Sequence, residues 1–156
     1  MMSLEQLLAR SRTLAALSQP DLARLAGAFT LREYPDGHVF IREGDSGDEV
    51  FLLVGGEIQV LRRGAEMNRM RPGALFGLMA LVDAGPRSAT CRGDGSCQVA
   101  TLSRADSEAL FQRAPAIALA FQRAVAKQLA QDFRHLNELL RQHLGAAQTG
   151  AAMLKS

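Results

Sequence analysis

Residues that usually announce chemistry are scarce in this sequence. Among 156 residues there is no tryptophan, one tyrosine, two cysteines and three histidines. Cys91 and Cys97 alone fall short of the ligand set of an iron–sulfur cluster. His38 is the single histidine in the strand-like part of the chain, and His135 and His143 stand eight residues apart in a helical stretch, so a metal site of three or four ligands cannot be assembled. His38 reads as a surface residue beside a turn. No nucleophile has a base next to it. Neither catalysis nor a metal or other cofactor is expected.

Charge of one sign is missing as well. Eighteen Lys and Arg against sixteen Asp and Glu leave a formal charge of +2, and the charges are scattered, with Arg62-Arg63 as the longest like-sign block. That balance argues against nucleic acid or an anionic membrane as the main partner. No run approaches the ~18 apolar residues of a membrane span. The opening MMSLEQLLARSR carries its acid early and lacks the continuous apolar stretch of a secretory leader. A cytoplasmic protein is expected, in which the two cysteines, which could face each other on paired strands, read instead as reduced and partly buried thiols.

What is present is an ordinary globular composition, 47% hydrophobic, in a chain long enough to bury a core as one domain with a helical appendage. The first part has helical spacing: Leu4, Leu7, Leu8, Leu14 and Leu17, then SQPD (Ser18 to Asp21) as a capping box with proline in the first turn, then Leu22, Leu25, Ala26 and Phe29. From Leu31 to Leu102 the period becomes two. Runs such as LREY, HVFIRE, EVFLLV, EIQVLRR, MNRMR, SATCRG and SCQVATL alternate with glycine turns, among them Gly55-Gly56 and Gly93-Asp94-Gly95. Short strands at that spacing predict a mainly β fold, a sandwich or jelly-roll β-roll. Helical periodicity returns in SRADSEALFQRA, with Ser103 or Asp106 to start it, and then in one long helix from Pro115 to about Leu144. The stripe Ile117, Phe121, Val125, Leu129, Phe133, Leu136, Leu140 advances by fours and threes, a heptad seam in its latter half. Either the whole stripe packs on its own barrel or the far half pairs with a second copy. Pairing is favoured, because Leu136, Leu139, Leu140 and Leu144 reach beyond what a β-roll of this size covers. Residues 1–114 are expected to form the β-roll with its N-terminal helices, 115–144 the long helix and 145–156 a flexible tail.

One segment breaks the β rhythm. GLMALV, Gly77 to Val82, reads as a short helix, and Arg87 follows a proline ten residues after Gly77. A helix N-terminus offers unpaired N–H groups to an anion, glycine there allows close approach, and Arg87 with Ser88 can add a planar fork of donors and a hydroxyl. Together they outline a phosphate pocket.

The order FG, then PRSAT, preceded by EGDSGDEVFLLVGGEIQV with its glycine and leucine spacing, resembles the cyclic nucleotide-binding domain of the bacterial cAMP-receptor class. The resemblance covers Leu14 to Leu144. It implies a β-roll, a phosphate-binding cassette at the insert, a cyclic nucleotide such as cAMP or cGMP as ligand, and a homodimer through the long helix. Carried over by position, the phosphate contacts fall on Arg87, Ser88 and the amides of Gly77, Leu78 and Met79.

Three departures accompany it. The family's cassette has a glutamate after FG for the ribose 2′-hydroxyl, and this chain has Leu78. Losing one charge-assisted hydrogen bond costs roughly 1.5–3 kcal/mol, about one to two decades in affinity. Where bacterial relatives place a hydroxylated pair facing the base, Asp132 and Phe133 stand here; Phe133 could stack on a purine and Asp132 accept from an exocyclic amine, or both could be plain helix residues. After Leu144 only a dozen small residues follow, so no helix-turn-helix and no direct DNA binding are expected. The expectation is a stand-alone sensor in which ligand draws the cassette toward Arg87, moves Met79, Leu81 and Val82 against the hinge of the C-terminal helices, and signals to an unknown protein partner. The alternative is a degenerate, ligand-independent dimeric scaffold.

Overall fold

The computed structural model describes all residues except 1, 12, 13, 15, 79–84 and 156, and the side chains except also those of 128, 132 and 146–155. Two short helices lead, α1 (Leu4–Arg10) and α2 (Gln19–Ala28). At α2 the Ser18 hydroxyl accepts from the Asp21 N–H at 3.3 Å with proline in the first turn. The reciprocal capping pair lies instead at α1, where Ser3 accepts from the Gln6 N–H and the Gln6 side chain accepts from the Ser3 N–H. Leu14 and Leu17, expected in helix, lie in the turns between.

The strands are β1 (Thr30–Tyr34), β2 (Val39–Ile41), β3 (Glu49–Arg62), β4 (Ala65–Met70), β5 (Leu75–Phe76) and β6 (Thr90–Ser103). All pair antiparallel in the order β1-β6-β3-β4, with β2 added on β6 and β5 on β3, the rolled sheet expected. Two of the expected turns are not turns. Gly55-Gly56 and Gly93-Asp94-Gly95 lie inside β3 and β6, and the β3–β6 ladder continues past them with register shifts between Leu53, Gly55 and Glu57. The glycines bend the strands without reversing them: Gly56 sits at φ +89°, and a Cβ there would come 2.6 Å from the Ser96 carbonyl. Cys91 and Cys97 therefore share one strand and cannot face each other; both are free and buried. His38 flanks a turn as expected, its N–H donating to the Pro35 carbonyl at 3.2 Å, but it is half-buried and not on the surface, its ring 4.5 Å from Tyr34 and 4.7 Å from Phe40 in an aromatic cluster.

Alternation explains the continuous apolar run EVFLLV. Val50 and Leu52, with Ala100 and Leu102 opposite, enter one cluster closed by Leu8, Leu22 and Leu25 of the N-terminal helices. Phe51 and Leu53, with Val99, enter a second cluster inside the roll with Ile41, Ile58 and Phe76. A strand buried on both faces reads apolar at every position.

Helix α3 (Arg104–Arg113) is capped by Ser103, whose hydroxyl accepts from the Asp106 N–H at 3.1 Å. Helix α4 (Pro115–Lys155) continues past Leu144, so the segment expected as a flexible tail is helical through Lys155. Its first turns bury Ile117 and Phe121 in the helix-backed core, and Val125 is buried as well, whereas from Leu129 onward its apolar stripe is exposed. Among the described residues no helix is long and apolar enough to cross a membrane.

Candidate ligand-binding site

The two-residue strand β5 delivers the site. Phe76 stacks on Phe51 of β3 with ring centroids 5.0 Å apart and planes 16° from parallel, which fixes the chain just before Gly77. Gly77 has φ +76°, and a Cβ there would lie 3.0 Å from the Glu49 carbonyl oxygen and 3.3 Å from Nη1 of Arg87. Backbone conformation and close approach both require glycine. Leu78 is half-buried and packs against the helix-backed core. Met79 and the rest of the expected helix through Val82 fall outside the described residues, as do Leu81 and Val82 of the expected hinge contact.

Arg87 is held by main chain along its length. Its N–H donates to the Asp45 carbonyl at 2.8 Å and its carbonyl accepts from the Gly44 N–H at 2.9 Å. Its guanidinium donates through Nη1 to the Gly77 carbonyl and through Nη2 to the Glu49 carbonyl, each at 3.2 Å. Burial lowers its pKa from the ordinary arginine value, against the opposing fields of Cys91, Asp48 and Glu49. An arginine so placed stays charged at neutral pH, a half-buried cation held by two carbonyls.

Gly77, Leu78, Arg87 and Ser88 all line one cavity of about 640 Å³. Its other walls include Ile41, Val60, Asn68, Met70 and Cys91 from the strands and Leu129 of α4. The Cys91 thiol is pushed up to about 11 by burial, with Arg87 opposing, so at neutral pH it is an uncharged wall. Among the described lining residues there is no carboxylate and one cation, Arg87, with Ser88 and Asn68 as the other polar side chains. A second cavity, about 390 Å³, lies against Arg87 and is lined by Asp45, Asp48 and Glu49, charges that disfavour an anion. The larger cavity is the candidate site.

Phe133 does not line it: its side chain is 65% exposed, while Leu129, four residues earlier, reaches the cavity wall. The side chain of Asp132 lies outside the description. Leu129 and Asn68 were missed by sequence reasoning. Leu129 belonged to the apolar stripe that was read, but nothing local distinguishes the member of a stripe that meets the barrel mouth.

Residues 31–114 match the family model of the cyclic nucleotide-binding domain. The chain belongs to this family. The cyclic nucleotide-binding domain described here is 36% identical over 93 residues to the cAMP-dependent protein kinase regulatory subunit of Emericella nidulans, covering 58% of this chain and 23% of that protein. Among solved structures it is similar to the N-terminal domain of a transcriptional regulator from Streptomyces coelicolor, with a TM-score of 0.72, 27% identity, and coverage of 83% of this chain and 94% of that one. The catabolite activator protein of Thermus thermophilus is similar too, with a TM-score of 0.74, 28% identity, and coverage of 83% of this chain and 63% of that one. The regulatory subunit is thus far longer than the region this domain matches.

Proposed function

We propose that this domain is a regulatory sensor that binds a cyclic nucleotide, cAMP or cGMP, and signals through α4, paired in a homodimer, to a protein partner. The phosphate is assigned to Arg87, Ser88 and the amides of Gly77, Leu78 and Met79, and the base to the apolar end toward Leu129. The observation that carries this reading is the meeting of the Arg87 guanidinium with Gly77 at the wall of a cavity otherwise lined by apolar side chains. A single cation in such a cavity favours a ligand with one concentrated negative charge and a less polar body. Support for the homodimer comes from the exposed stripe Leu129, Phe133, Leu136, Leu140 at heptad spacing. Nothing in the reading requires a reaction; the domain binds and transmits.

Titration calorimetry with cAMP and with cGMP tests the ligand, using the natural chain and Arg87→Ala. Binding in the first and a loss of at least about tenfold in the second are expected, since a charge-assisted hydrogen bond is at stake. No heat in either protein ends the ligand reading. Sedimentation of Leu136→Glu with Leu140→Glu, expected monomeric beside a dimeric natural chain, tests the pairing.

A second reading, the ligand-independent scaffold, is favoured by one observation. Leu78 joins the helix-backed core and supplies no acceptor for a ribose hydroxyl. If Leu78→Glu creates nucleotide binding that the natural chain lacks, the scaffold reading stands.

A further inference from the structure

Gly47 is a glycine with no backbone reason to be one. Gly44 and Gly77 on either side of the site have φ of +87° and +76°, but Gly47 is absent from the positive-φ glycines. The reason lies forty residues along the chain. A Cβ built on Gly47 would stand 2.6 Å from Nη2, 2.8 Å from Nε and 3.1 Å from Cζ of Arg87. Two short distances to the nitrogens and a longer one to the carbon between them place that Cβ beside the Nε–Nη2 edge of the guanidinium, near its plane. An alanine methyl would therefore occupy the space directly in front of one of the fork's donor edges, and the flexible end of the arginine would have to swing away.

The other constraints on the guanidinium come from the carbonyls of Gly77 and Glu49, and the backbone of Arg87 is tied to Asp45 and Gly44. Segment 44–49, outside the FG–PRSAT cassette, thus binds the arginine through Gly44, Asp45 and Glu49, with Gly47 lying beside its guanidinium. We infer that Gly47 is a positioning residue for the anion site: its missing side chain sets where the Arg87 guanidinium lies, and so where the charged end of a ligand is held. The inference rests on the cyclic-nucleotide reading for its consequence, though not for the contact itself.

The experiment separates the two. Side-chain Nε–H signals of arginine are followed by NMR without ligand, with Arg87→Ala to assign the Arg87 signal and Gly27→Ala as control, since a Cβ at Gly27 meets nothing within 4 Å. Gly47→Ala is expected to shift or exchange-broaden the Arg87 signal, and Gly27→Ala to leave it in place; an unmoved Arg87 signal in Gly47→Ala overturns the inference. With cAMP, Gly47→Ala should weaken binding by at least about tenfold, and adding it to Arg87→Ala should weaken binding no further. Additive losses overturn the inference, because they mean that Gly47 acts otherwise than through the arginine. If the natural chain binds no cyclic nucleotide, the ligand reading fails and the NMR comparison alone decides. Should Gly47→Ala unfold while the double variant folds, the clash with the guanidinium is upheld; should both unfold while Arg87→Ala folds, the inference falls.

Discussion

The two apolar clusters of this molecule are built from the same two strands and are put to opposite uses. On one face of β3 and β6, Val50, Leu52, Ala100 and Leu102 enter one buried cluster with side chains of α1, α2 and α4. On the other face, Phe51, Leu53 and Val99 meet the inside of the roll, which leaves about 640 Å³ unfilled with Arg87 at its wall. Close packing on one side gives stability; the gap on the other gives a place for a ligand at the cost of contacts. The lesson is that alternation along a single strand can divide structural from binding duty residue by residue.

The sharpest way to break the contrast is at Phe121, which is buried in the helix-backed core. Phe121→Ala should lower unfolding free energy by about 3–5 kcal/mol, read by urea denaturation, while the ligand affinity of the molecules still folded changes little. Arg87→Ala should do the reverse. It removes two side-chain bonds to carbonyls but leaves the backbone ties to Asp45 and Gly44. The loss of affinity should be about 1.5–3 kcal/mol with a much smaller change in midpoint. A core residue that cost affinity alone, or an arginine that cost only stability, would dissolve the division.

A pH scan sharpens it further. Cys91 is raised by burial from 9.0 to about 11 in the folded chain. Between those values the unfolded chain loses the thiol proton while the folded chain keeps it, so the stabilisation is full below pH ~9 and declines as pH rises toward ~11, by about 3 kcal/mol in all. Urea midpoints at pH 8 and pH 10.5, compared between the natural chain and Cys91→Ala, should show the extra fall in the natural chain alone. The smallest effect is expected at a helix end far from either cluster's centre: Ser103→Ala removes the cap of α3 and should cost about 1 kcal/mol, with no change in affinity.

Much of the architecture was legible before any coordinates. Period two from Leu31 to Leu102 marked the sheet, Ser18 marked one helix start, and Ser103 was one of two candidates, with Asp106, for another. The glycine pairs misled, because a glycine between two alternating runs serves a bulge as well as a hairpin, and only the long ladder between β3 and β6 separates them. The same ladder puts Cys91 and Cys97 on one strand, where they are the free, buried thiols the sequence reading favoured. In the site, the FG and PRSAT motifs together pointed to Gly77, Leu78, Arg87 and Ser88, which share a cavity wall. Counting along the helix left Phe133 open between a base contact and a plain helix residue; helical rotation relative to the barrel is set by packing, which puts Leu129, and not Phe133, at the cavity wall.

By itself the sequence determined what depends on neighbours in the chain: helix caps, the periods of strand and helix, and the pairing of a glycine with an arginine ten residues on. Only the tertiary structure decided which face of each strand is filled and which left open, which turn of α4 walls the cavity, and that Gly47 abuts the guanidinium of Arg87. Those are distances between segments far apart in sequence. They arise from the summed packing of the whole roll, for which no local pattern carries a signal.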